Sequence, residues 1–228
     1  MIGRYALACL DMAGTTVRDE GAVEDAFATA LAAVGIEEGS PRRAEADVLV
    51  RATMGWSKAD VFAALLEPPD AARATTAFAL AYEASVAAGR VGEMPGAAAV
   101  LRDLRGRGVR VCLTTGFAPS TRDAVLDALG WRGDVDLALS PVDAGRGRPA
   151  PDMVLAAMAR LGVEDPRSVV VGDTVSDLES GTAAGAGAVI GVLSGAHDAA
   201  TLAASPHTAL IADITALPAA LEAEPAAR

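Results

Sequence analysis

Cysteine is scarce in this chain, with two residues, Cys9 and Cys112, among 228. Each lies inside an apolar, strand-like run, which argues against a disulfide framework and for buried, reduced thiols. Aromatic residues make up 4% of a chain that is 52% hydrophobic, so its core has to be built from Ala, Val and Leu. Positive charge is short as well. A net charge of -11 argues against nucleic-acid binding, which needs basic patches. An anionic substrate would need local cations, from a metal or a few Arg side chains. No run of 18 uncharged apolar residues occurs, and no charged segment followed by an apolar stretch opens the chain. The expectation is a cytoplasmic protein with no membrane partner. Lysine is the rarest absence: of 19 basic residues, only Lys58 is a lysine.

The apolar run over 5–10 reads as a short buried strand and leads into Asp11-Met12-Ala13-Gly14-Thr15-Thr16. A carboxylate at the carboxyl end of a parallel strand, followed by Gly-Thr, sits where open α/β sheets take ligands. Asp11 there can hold a divalent cation, attack phosphorus, or do both. Taken alone, the hexapeptide is equally a strand closed by an Asp-containing turn. From 21 to 89 no buried strand is predicted. Apolar positions fall at helical spacing over 26–34, 61–66 and 76–88, closed by Gly35, by Pro68-Pro69 and by Gly89. Further on, strand-like runs at 109–113, 135–139, 168–171 and 188–192 alternate with helical runs at 97–105, 120–129, 151–161 and 178–184. That alternation predicts an α/β fold, a doubly wound parallel sheet with an inserted all-helical cap. The expected division is a core of 1–16 and 91–228 and a cap of 17–90, with hinges at 17–21 and 90–96. Residues 223–228 read as a frayed tail.

Three more stations follow strand ends. Thr114-Thr115-Gly116 offers a hydroxyl and backbone N–H groups that can cradle a phosphoryl oxygen. Gly147-Arg148-Pro149 offers a guanidinium that can clamp phosphoryl oxygens. An ordinary turn, or a common Arg, accounts for either one alone. In Gly172-Asp173-Thr174-Val175-Ser176-Asp177, two carboxylates four residues apart straddle a strand-to-helix turn. Ser176 with Glu179 reads as a capping box, which leaves Asp177 in the first helical turn, complementing the helix dipole. Asp173 and Asp11 together make an oxygen-rich pair suited to Mg²⁺.

The order Asp-x-x-Gly-Thr, Thr-Gly, basic-Pro and Gly-Asp-x-x-x-Asp, with a helical insert after the first station, resembles the haloacid dehalogenase superfamily over the whole chain. The resemblance implies a Mg²⁺-dependent enzyme that forms an aspartyl-phosphate at Asp11. Phosphatases of that superfamily carry a second Asp two residues after the nucleophile, to protonate the leaving alkoxide. Ala13 stands there and cannot donate a proton, although general acids typically contribute ~10²–10⁴-fold. The usual lysine of the third station is Arg148. Both departures, and the strings Asp-Met-Ala-Gly-Thr-Thr-Val and Gly-Asp-Thr-Val-Ser-Asp, are similar to the phosphonatase branch, phosphonoacetaldehyde hydrolase and its relatives. In that branch a cap lysine forms a Schiff base with the substrate aldehyde. Met54-Gly55-Trp56-Ser57-Lys58 resembles that segment, with Lys58 in the lysine position.

The residues around Lys58 point the same way on their own physics. Ser57 with Asp60 predicts an N-cap, so Lys58 opens a helix at the end where the dipole disfavours an ammonium. Lys58, Val61, Phe62 and Leu65 share an apolar face, where desolvation also favours the neutral amine. Only the neutral amine attacks a carbonyl. The plain alternative is a lysine snorkelling from the rim of a helix pair.

The resemblance implies Mg²⁺ held by Asp11, the Ala13 carbonyl and Asp173. It implies substrate contacts from Gly55, Thr115, Gly116 and Arg148, with Asp177 orienting its neighbours. The implied reaction is cleavage of the C–P bond of a small anionic phosphonate through a Lys58 Schiff base. The competing readings are a phosphatase or phosphomutase on a small phosphate ester, and a non-catalytic Mg²⁺-binding protein. A histidine follows the branch's lysine by three residues, where this chain has Val61, and Phe117 stands where a Tyr is expected. These departures move the expected substrate from phosphonoacetaldehyde to a related 2-oxoalkylphosphonate. His197 and His207 receive no role, and the base for aspartyl-phosphate hydrolysis is unassigned. A homodimer through the cap is a further implication of the branch.

Overall fold

The computed structural model describes residues 4–223. The chain opens with β1 (Leu7–Asp11) and a short strand, β2 (Val17–Arg18). Four helices follow: α1 (Ala22–Ala33), α2 (Pro41–Ala52), α3 (Lys58–Leu65) and α4 (Pro68–Ala87). The chain returns through β3 (Gly92–Glu93), which pairs antiparallel with β2. Then come α5 (Ala97–Gly106), β4 (Arg110–Thr114), α6 (Pro119–Leu129), β5 (Leu137–Leu139), α7 (Pro141–Ala144) and α8 (Asp152–Leu161). The remainder is β6 (Ser168–Gly172), α9 (Val175–Ala183), β7 (Ala188–Val192), α10 (Ala199–Ala203), β8 (Ala209–Ile211) and α11 (Leu217–Glu222).

Six strands form one parallel sheet in the order β5-β4-β1-β6-β7-β8. The α/β expectation holds. β1 is central and buried along its whole length, which is why its sequence shows no polar alternation. Its neighbours lie on opposite sides in the chain's winding, so the crevice at its carboxyl end is a topological switch point. Cys9 and Cys112 sit side by side in register on β1 and β4, free and buried.

α1 to α4 pack around a cluster of rings. Phe27 of α1 lies 4.8 Å from Phe78 of α4 and 5.5 Å from Phe62 of α3. Phe117, just after β4, joins them at 6.1 Å from Phe78 and 4.5 Å from Tyr82. The core is therefore not only Ala, Val and Leu. All four phenylalanines gather where the helical layer meets the sheet.

Several boundaries differ from the sequence reading. β1 extends to Asp11, so that residue is part of the strand rather than beyond it. Pro68-Pro69 does not merely stop a helix. It occupies the first turn of α4, where a missing N–H costs nothing, so that helix starts eight residues before the expected position 76. α2 was not expected. Ser40 caps it by accepting from the Arg43 N–H at 3.1 Å, with Pro41 behind, but it buries only Ala46 and Val50 and so carries a weak apolar pattern. β5 begins at Leu137 rather than 135, because the Asp136 carboxylate itself takes the Val111 N–H at 2.9 Å. The edge strand β8 is short and half-buried and was also unread. Of the expected tail, residues 224–228 lie outside the described residues.

Candidate active site

The carboxyl ends of β1, β4 and β6 bring the four stations together. Asp11 and Asp173 are both buried. Thr15 Oγ1 donates to Asp173 Oδ1 at 3.0 Å, and the Ala196 N–H donates to Oδ2 at 2.7 Å. Burial, and then the neighbouring Asp11 charge, push the Asp173 carboxyl up to about 7. A side chain at Gly14, whose φ is +89°, would run into the Asp173 carboxylate, so the close approach demands glycine there.

Arg148 is buried between carboxylates. Its Nη1 donates to Asp11 Oδ1 at 2.6 Å and also to Asp177. Its Nε is buried and has no partner among the described residues. An unpaired buried donor of this kind calls for an acceptor, which a phosphoryl oxygen supplies. Asp177 in turn takes the Thr174 N–H at 3.1 Å, while Thr174 Oγ1 takes the Asp177 N–H at 3.3 Å. This is the capping box of α9, two residues earlier than the expected Ser176–Glu179 pair. The helix begins at Val175, so Ser176 lies inside the first turn. Its hydroxyl is free to donate to the Met54 carbonyl at 3.0 Å.

That last bond crosses from the sheet to the helical layer, and others accompany it. The Lys58 N–H donates to the Gly116 carbonyl at 3.1 Å, and Thr121 Oγ1 donates to Glu83 Oε1 at 2.9 Å. A Cβ on Gly116 would collide with the Trp56 carbonyl. The segment 54–58 is thus laid directly on the Thr115-Gly116 turn. Ser57 accepts from the Asp60 N–H at 3.4 Å, so Lys58 is the first residue of α3, as its sequence predicts.

Lys58 is 8% exposed. Its Nζ lies 5.2 Å from the ring centroid of Phe27, 5.8 Å from Phe78 and 5.7 Å from Phe117. Among the described residues no hydrogen bond or ion pair reaches it. Burial, and then the Arg148 charge, lower its pKa from 10.5 to about 8, against the opposing pull of Asp11, Asp19 and Asp173.

One cavity of about 290 Å³ is lined by all the sequence-derived candidates: Asp11, Ala13, Gly55, Lys58, Thr115, Gly116, Arg148, Asp173 and Asp177. The oxygen donors fit Mg²⁺. Among the described residues no group of three or more His, Cys, Asp or Glu side chains gathers for a metal. A Mg²⁺ site needs fewer, since that ion keeps several waters and commonly takes only one or two carboxylates. Burial, and then the Asp11 charge, disfavour the Asp173 carboxylate, and a bound divalent cation would favour it.

Two contributors escaped the sequence reading. The His197 ring is not idle: Nδ1 accepts the Val175 N–H at 3.0 Å, which satisfies an open donor at the start of α9. The His197 N–H meets the Asp173 carbonyl at 3.3 Å, and Ser194 Oγ meets the Gly14 carbonyl at 2.9 Å. The loop after β7 therefore braces both acidic stations. The rings around Lys58 were also unread as a unit.

A family model described as haloacid dehalogenase-like hydrolase matches residues 5–185. The chain belongs to that family of hydrolases. Among its relatives, the phosphonoacetaldehyde hydrolase of Bacteroides fragilis is 37% identical over 125 residues, 53% of this chain. That match spans 46% of the relative, so the chain covers about half the length of this curated protein. A probable phosphatase of Dickeya dadantii, IndB, is 31% identical over 212 residues, 90% of this chain and 88% of that one. The crystal structure of a phosphonoacetaldehyde hydrolase-like protein from Oleispira antarctica superposes with a TM-score of 0.82 at 22% identity, covering 97% of this chain and 92% of the other. At that identity the likeness speaks to the fold. No helix among the described residues is long and apolar enough to cross a membrane.

Proposed function

We propose that this hydrolase cleaves the C–P bond of a small 2-oxoalkylphosphonate, with Lys58 as the amine that makes the bond cleavable. The observation that carries the reading is the placement of the chain's one lysine. Its amine is buried, has no ion-pair partner among the described residues, has its pKa lowered to about 8, and lies on the wall of the cavity that holds Asp11. The partial likeness to a phosphonoacetaldehyde hydrolase supports it.

Direct cleavage of a C–P bond would expel a carbanion. Neutral Lys58 instead adds to the substrate carbonyl, and water leaves to give an iminium. Asp11 attacks phosphorus, the P–C bond breaks, and its electron pair flows into the iminium to form an enamine. No alkoxide departs, so no acid is needed where Ala13 stands. The enamine takes a proton on carbon, and water then releases the carbonyl product from Lys58. A second water frees phosphate from Asp11. Thr115, Gly116 and the unpaired Nε of Arg148 hold the phosphoryl oxygens. Asp11, the Ala13 carbonyl and Asp173 would hold Mg²⁺, which would offset repulsion between the nucleophile and the anionic phosphonate. The helical layer acts as a lid on the β2–β3 ribbon, and its contacts at 54–58 exclude water while Lys58 is engaged.

The test is borohydride reduction in the presence of 2-oxopropylphosphonate, followed by peptide mass mapping. A stable secondary amine on Lys58, absent from a folded Lys58→Arg variant along with C–P cleavage, is the expected result. An unmodified Lys58 contradicts it. The likeness to the Dickeya dadantii protein favours a second reading, hydrolysis of a small phosphate ester. Rapid phosphate release from simple esters, undiminished in Lys58→Arg, would select that reading instead.

A further inference from the structure

The surroundings of the amine say what the carbonyl of the substrate can carry. We infer that the substrate bears hydrogen or an alkyl group on its carbonyl carbon, and that a carboxylate in that place is rejected. The inference rests on the Lys58 chemistry proposed above and adds a selectivity to it.

The carbonyl carbon must come within one bond of Nζ. Its remaining substituent therefore lies in the cavity beside Lys58, where the Phe117 ring forms part of the wall. Ring faces carry negative partial charge, so they welcome the cationic iminium and repel a carboxylate beside it. An anion buried there would need a cation or donors of its own. The basic side chains lining the cavity are Arg18, Lys58 and Arg148. Lys58 is consumed by the carbonyl. Nη1 of Arg148 is held by Asp11 and Asp177, and its unpartnered Nε is taken by a phosphoryl oxygen in the proposed reaction. Arg18, out on the rim, pairs with Glu20.

The other charges on the helical side of the cavity are all negative: Asp19, Glu20 and Glu24. Burial, and then the Glu24 charge, push the Asp19 carboxyl upward, so that corner already disfavours negative charge before any substrate arrives. Apolar neighbours are plentiful by contrast. Val23, Met54 and Met94 line the same 290 Å³ space and leave room for an alkyl group. Discrimination thus arises from a missing partner and from like charge, with no steric block.

Three probes test this on the intact protein loaded with Mg²⁺: phosphonoacetaldehyde, 2-oxopropylphosphonate and 3-phosphonopyruvate. Phosphate release and borohydride labelling of Lys58 are followed for each. The aldehyde and the methyl ketone are expected to label and cleave. For the carboxylate, kcat/KM and labelling rate are expected to fall ~10²-fold or more below the ketone, the order that burial of an unpaired charge imposes. Equal performance of the ketone and the carboxylate overturns this inference and leaves the lysine chemistry standing. Failure of all three probes to label Lys58 overturns the proposed function and this inference with it.

Discussion

The sheet side of the cavity holds its charges in a mesh of hydrogen bonds, whereas the helical side holds its one reactive charge among rings. Asp11, Arg148 and Asp177 are linked in a chain of carboxylate–guanidinium contacts, and Asp173 is fixed by Thr15 and Ala196. Each group there has a hydrogen-bonding or ion-pair partner that fixes its position. Lys58 has no such partner, and its surroundings favour loss of charge. The contrast separates two tasks. In the proposed reaction the sheet side serves phosphoryl transfer, which needs fixed charges aimed at phosphorus. The helical side, in that proposal, selects the bond to phosphorus that breaks, through a nucleophilic amine.

The division leads to graded expectations. Asp11→Asn removes the nucleophile from the mesh and should lower phosphate release from a phosphonate ~10⁴-fold or more. Borohydride labelling of Lys58 should persist in that variant, because the cage is untouched. Gly116→Ala places a methyl group against the Trp56 carbonyl and pries the two sides apart. Both labelling and phosphate release should then drop together, by ~10²-fold, since misplacement of reacting groups by about an ångström has effects of that order.

Acidity distinguishes the sides next. The amine is reactive only when neutral and its pKa is about 8. Labelling at fixed ketone concentration should therefore rise with pH and reach half its maximum near pH 8, instead of near the ordinary lysine value. The smallest effect belongs to the brace. His197→Leu leaves the Val175 N–H unpaired and should cost ~1 kcal/mol in thermal unfolding. His197→Asn, which keeps an acceptor, should recover most of it.

The sheet side was almost wholly legible in the sequence. Phosphoryl chemistry demands particular residue types directly after strands, and strands show as apolar runs. Asp11, Thr115 and Asp173 were found that way, Arg148 by its Gly-Arg-Pro setting ahead of a helix, with α7 between it and β5, and all line one cavity. The capping of α9 was misplaced because Thr174–Asp177 and Ser176–Glu179 both satisfy the same spacing rule, and only the start of the helix chooses between them. The helical side was legible at one residue. Lys58 stood out by rarity and by its N-terminal position on an apolar face. Its cage did not, because Phe27, Phe78 and Phe117 come from three separate stretches that only tertiary packing unites. His197 was silent for the same reason: its partner lies 22 residues away, across α9 and β7.

The most direct test is exchange of the carbonyl oxygen of 2-oxopropylphosphonate with ¹⁸O-labelled water, catalysed by Asp11→Asn. Reversible iminium formation at Lys58 must lose that oxygen to solvent even when no phosphorus chemistry occurs. The account predicts exchange well above the uncatalysed rate in Asp11→Asn and only the uncatalysed rate in Asp11→Asn/Lys58→Arg. Exchange at the background rate in both would contradict it.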